Sequence, residues 1–155
     1  MKTSGHGLSI DVPPGWEARI VRVAHGAPFL HVASFALPAS PGQFGARATA
    51  AMGADGAFAA LVEYLVDDQV VPGSGLFSST GWKPRLRMGE FARSQLQVIR
   101  PGHLGAQRFF TQAGRPFCLY AVIAPVRKRP ARLVGELSAV LATLRFEARH
   151  FSREP

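Results

Sequence analysis

Leu8, Ile10 and Val12 alternate with Ser9 and Asp11, the period of two that lays one face of a strand on a core. Pro13, Pro14 and Gly15 stop the pattern. Trp16, Ala18 and Ile20 restart it against Glu17 and Arg19, which predicts a second strand returning along the first, with Trp16 where the two meet. The turn "HGAP" leads into 29–37, with Phe29, Ala33, Phe35 and Leu37 on one face and Leu30 and Val32 on the other. A strand apolar on both faces is central or covered.

The stretch 44–66 fits two periods. Phe58, Leu61, Val62 and Leu65 match a helix, while Phe58, Ala60, Val62, Tyr64 and Val66 match a strand. The glycines of "GADG" favour two strands, 46–52 and 57–66, because they make a turn and weaken a continuous helix. From 67 to 103 the chain carries "VVPGSG", "STGWKP" and "RPG" with only short apolar pieces, a long irregular excursion of the kind that often holds a binding surface.

Residues 108–111 and 117–125 flank "QAGRP" and predict a hairpin. Beyond it, Pro130 occupies a first helical position, and Leu133, Leu137, Val140, Leu141 and Leu144 form a stripe spaced by three and four. The pattern as a whole predicts an α+β fold in which an antiparallel sheet carries a long carboxy-terminal helix on one face.

A chain of 155 residues is the size of one domain, read as 1–155 with a basic excursion at about 67–103. The 47% apolar content is that of a globular chain. The sequence shows neither a membrane-spanning apolar run nor a signal-peptide stretch, so the expected location is the cytoplasm.

Charge changes the picture more. The chain carries net +8, split between four cations and six acids up to Trp82 and fourteen cations and four acids from Lys83 onward. A basic half attracts nucleic acid, acidic lipid or an acidic protein. Arginine outnumbers lysine fifteen to three, as GC-rich coding would also give.

Candidate chemistry is sparse. Cys118, the single cysteine, has no cation or histidine placed beside it and reads as a packed thiol. His6, His25, His31, His103 and His150 include no pair at metal-ligand spacing, and the hairpin pair His25 and His31 would make an incomplete site. No metal and no cofactor is implied. Glu63 stands in an apolar strand, so either it points to solvent or it pairs with Arg108 or Arg115. "GSGLFSST" lacks the lysine and glycine spacing of a phosphate loop.

Basic and aromatic residues interleave in the excursion, where Trp82, Arg85, Arg87 and Phe91 are the candidate partner contacts. Lys83 and Arg93, with Arg127, Lys128, Arg129 and Arg132 at the helix start, are candidate anion contacts. Cations there oppose the helix dipole, which points to an external anion or acidic partner.

The opening "GLSIDVPPGWEARI" resembles the strand, Pro-Gly-Trp, strand beginning of the Mog1/PsbP-like domains, with Pro14, Gly15 and Trp16 as its centre. "MGADGAFAALVEY" and "RPFCLYAVIA" are similar to small actinobacterial-type proteins of no assigned activity. The resemblance implies an α+β domain acting as a binding or assembly factor, and no catalytic residue carries over.

The expectation is therefore a non-enzymatic module engaging a protein partner through the excursion. Two alternatives stand beside it: a nucleic-acid-associated basic protein, and a small-ligand carrier or enzyme with a pocket between sheet and helix.

Overall fold

In the computed structural model, which describes residues 1–40 and 42–148, the first strands pair differently from the expectation. β1 (Lys2–Gly5) and β2 (Leu8–Asp11) form a tight hairpin turning at His6 and Gly7, both with positive φ. β3 (Glu17–Arg22) does not return along β2. It pairs with β4 (Pro28–Ala33) in a separate sheet. Pro13 and Pro14 cannot donate to a ladder, so the chain leaves one sheet there and joins the other. Trp16 sits at this crossing, half-buried in a groove with Asp11, Val12 and Val140.

The larger sheet has the order β3-β4-β5-β7-β6, with every pairing antiparallel. β5 (Ala57–Glu63) and β7 (Arg115–Ile123) are buried along their whole lengths, and β6 (Leu104–Gln112) makes the predicted hairpin with β7. Alternation sends Leu61, Phe117, Leu119 and Ile123 into one core and Phe58, Val62, Tyr120 and Val122 into the other.

The first face is covered by α2 (Pro130–Leu141), whose Leu133, Val134, Leu137, Val140 and Leu141 are buried, together with Leu8 and Ile10 of the small sheet. Burial of each large apolar side chain stabilises by about 1.5–3 kcal/mol. The helix is not the final element, since β8 (Arg145–Phe146) follows and completes the small sheet in the order β1-β2-β8.

The second face corrects the reading of 46–52 as a strand. These residues form the short helix α1 (Ala46–Ala51), which lays Ala48 and Thr49 on the sheet. Gly45 at its N-terminal cap has φ 77°, and a Cβ there would stand 2.1 Å from the Phe58 ring. Only glycine starts a helix so close to that ring, and alanine-rich "ARATAA" then favours the helix. β5 ends at Glu63, three residues short of the expectation, and Leu65 and Val66 are exposed. β4 likewise stops at Ala33, where the Ser34 hydroxyl accepts the Ala57 N–H at 2.9 Å.

Glu63 does not face water. With 2% of its surface exposed, it accepts from Nε and Nη2 of Arg115 at 3.0 and 2.5 Å. The same guanidinium donates to the carbonyls of His6, Gly7 and Glu147. One arginine thus joins the small sheet to the large one. A Cβ on Gly7 would lie 2.8 Å from Arg115 Nη1, so the turn and the clasp require each other.

Candidate binding site

The excursion between β5 and β6 is irregular, but it is tied down. Thr80 bridges Thr111, and Ala92 bridges Gly105, so both segments add themselves to the outer edge of β6. That cover blunts an edge strand which would otherwise offer unpaired backbone groups. Gly75–Phe77, Met88–Glu90 and Arg93–Gln95 are single 3-10 turns. Phe77 and Leu96 anchor the excursion through buried side chains.

Between the two bridges runs a strap, residues 82–91. Pro84 and Leu86 turn inward, and Lys83, Arg85 and Arg87 are exposed, the alternation of an extended backbone. Arg108 on β6 holds this backbone in place. Its Nη1 donates to the Lys83 carbonyl at 2.6 Å, and Nη2 to the Arg85 carbonyl at 2.9 Å. Nε and Nη2 also grip the two carboxylate oxygens of Glu90 at 2.5 and 2.7 Å, and Glu90 in turn accepts the Arg87 N–H. This bidentate grip holds the Glu90 carboxyl below its ordinary range against the opposing effect of burial, and the Arg87 N–H adds to it.

Lys83, Arg85 and Arg87 line a groove of about 560 Å3 with Trp82, Glu90, Arg108, Phe109 and Phe110. A second groove, of about 570 Å3, lies between the strap and Ala131, Gly135 and Ser138 of α2. The cationic row is the ridge between them. Lys83, Arg85, Arg87 and Arg93 make no side-chain ion pair among the described residues.

The aromatic members of the expected contact set are placed otherwise. Phe91 is buried in the main core, because the Ala92–Gly105 bridge folds the strap back onto the sheet. Trp82 is half-buried, its ring against Phe110 and Phe146 at 5.2 and 5.6 Å and its Nε1 donating to the Leu141 carbonyl. Arg85 and Arg87 are therefore the exposed pair of that set, and Trp82 supplies groove wall.

The other basic cluster is answered from within. Lys128 and Arg132 both reach Glu136, at 3.2 and 3.3 Å. The backbone N–H groups of Val126, Arg127 and Lys128 all donate to Asp55 Oδ1 at 2.9 Å, which lowers the Asp55 pKa. The unfavourable placement of cations at this helix start is thus met by two internal carboxylates. Asp55 comes from the turn before β5, far away in sequence. Arg127 and Arg129 remain exposed.

Cys118 is fully buried, and burial pushes its thiol up to about 11 despite a contact from Gln107 Nε2. A thiol so reluctant to ionise is a poor nucleophile. His31 is buried between Phe29 and Phe58, with Nε2 donating to the Gln43 carbonyl at 2.7 Å. Desolvation lowers its pKa against the opposing hydrogen bond to Gln43. His25 lies in an exposed turn, and His150 is outside the described residues. Among the described residues, no group of three or more His, Cys, Asp or Glu could hold a metal ion, and no helix is long and apolar enough to cross a membrane.

Comparison with family models, curated proteins and solved structures gives no match to this chain.

Proposed function

We propose that this protein is a non-enzymatic binding module that engages a protein partner through the strap at 82–91. The observation that carries the reading is the Arg108–Glu90 clasp. It fixes the backbone carbonyls of Lys83 and Arg85, and so presents the Lys83, Arg85 and Arg87 side chains along a concave groove without neutralising them. A surface ordered before contact loses less conformational entropy on binding, which favours affinity. The resemblance of "PPGW" and its flanking strands to the Mog1/PsbP-like binding and assembly domains supports the same reading, as does the α2 helix laid on one face of the sheet. A cytoplasmic location belongs to this proposal too.

A second reading, association with nucleic acid, is favoured by the excess of cations after Trp82. Glu136, shared by Lys128 and Arg132, offsets one of their two charges and narrows the footprint that would support it.

The test is site-specific photo-crosslinking in native lysate, with the probe placed at Lys83 and, as control, at the exposed Arg129. A defined protein adduct from position 83, lost when Arg85→Ala and Arg87→Ala are combined and absent from position 129, is the expected result. Equal adducts from both positions, or an adduct that nuclease digests, would overturn it.

A further inference from the structure

Resting on that reading, we infer that the strap recognises an extended acidic segment of its partner, one in which carboxylates alternate with apolar side chains. The argument begins with spacing. Lys83, Arg85 and Arg87 occupy alternate positions of an extended backbone, so their side chains leave the same side at intervals of about 6.6 Å. An extended peptide presents every second side chain at that same interval. Acids at alternate positions therefore meet the cations one for one, and the intervening side chains face the other way.

The groove offers something to both sets. Its cationic side is Lys83, Arg85 and Arg87, and its remaining wall includes Trp82, Phe109 and Phe110. Exposed arginines form bidentate contacts with carboxylates, a geometry that adds specificity to charge. Glu90 and Arg108 also line the groove, but each satisfies the other there. The Glu90 charge also reaches Arg87, so Lys83 and Arg85 are the members of the row farthest from a resident acid in their electrostatics.

The length of the row disfavours a nucleic acid in this groove: it is three residues long, and Arg93, the next cation along the chain, lies beyond the groove lining.

The experiment titrates the full chain with short fluorescent synthetic peptides at low and moderate salt, reading anisotropy. One alternates glutamate with leucine, one alternates glutamine with leucine, and one has the first peptide's composition with its glutamates contiguous. A duplex oligonucleotide of similar length is the fourth probe. The alternating glutamate peptide should bind about tenfold or more tighter than both other peptides, with the gap narrowing as salt rises. Arg85→Gln with Arg87→Gln should abolish the preference at an unchanged melting temperature, both residues being exposed.

Equal binding of the glutamate and glutamine peptides, indifference to the spacing of glutamates, or tighter binding of the duplex overturns the inference. If those results come with position-83 protein adducts, only the acidic partner chemistry falls. If the adducts fail as well, the protein-binding reading falls with it.

Discussion

Arg108 and Arg115 stand on the paired strands of one hairpin, and each holds a carboxylate with Nε and Nη2 while donating to carbonyls of a distant segment. Their surroundings differ. The side chains of Arg115 and Glu63 are 2% and 1% exposed, and those of Arg108 and Glu90 are 22% and 30% exposed. The same fork therefore does two jobs. Where water is excluded it welds two sheets; where water reaches it, it shapes a surface loop and leaves the exposed side chains of Lys83 and Arg85 to solvent. Burial, more than the pairing itself, decides what an ion pair is for.

Removing the buried fork should have the largest effect. Arg115→Ala leaves Glu63 in the core without its guanidinium and abandons the carbonyls of His6, Gly7 and Glu147, and should cost about 3–5 kcal/mol in urea unfolding. A cost below about 1 kcal/mol would show that the two sheets hold together without it.

The half-exposed fork should respond differently. Arg108→Ala should cost about 1–3 kcal/mol globally, charge-assisted hydrogen bonds in partial contact with water being worth that much. Hydrogen exchange should accelerate at amides of 82–91 and stay slow in β5 and β7. Arg108→Lys should not restore protection, because a single ammonium cannot bridge Glu90 and two carbonyls at once. Uniform acceleration across the sheet would erase the distinction between the forks.

The smallest effect is an acid-dependent one. The Glu90 carboxyl sits below its ordinary value of 4.5 because of the Arg108 grip. As pH falls, the unfolded chain takes up this proton before the folded one does, so the contribution is complete above about 4.5 and fades toward the lowered folded value. Glu90→Gln should flatten the pH dependence of the urea midpoint below about pH 4.5 and leave its neutral-pH slope unchanged. An identical acid limb in the variant would mean that Glu90 does not couple the strap to pH.

Much of this arrangement was readable in advance, and the parts that were not share a cause. The stripe of α2 and the alternation of β2 are local patterns, and both elements form on them, although α2 closes at Leu141 and leaves Leu144, the last residue of the stripe, just beyond it. The strand read over 46–52 failed because alanine-rich residues satisfy either period, and the choice fell to Gly45 meeting Phe58 across space. Naming Arg108 or Arg115 as the partner of Glu63 was within reach of the chain. Choosing between them needed the register that sets Glu63 opposite Phe117.

The candidate site divides along the same line. Exposure of Lys83, Arg85 and Arg87 follows from their alternation with Pro84 and Leu86. Phe91 was misplaced because a bridge between Ala92 and Gly105, invisible to local pattern, turns it inward. The Arg132–Glu136 pair is a readable spacing of four, whereas the Asp55 carboxylate on the N–H groups of 126–128 is a long-range contact.

The Arg115 clasp also sets an order of events during synthesis. Its partners lie 108, 52 and 32 positions from it along the chain, at Gly7, Glu63 and Glu147. The β1–β2 hairpin is made before the guanidinium that receives its turn, and the Glu147 carbonyl of the set is made after it. Until then a two-stranded hairpin has little to stabilise it. The turn at Gly7 is clasped only once the 108 positions between it and Arg115 have been spanned, and closure of the clasp belongs to the slow, non-local end of folding.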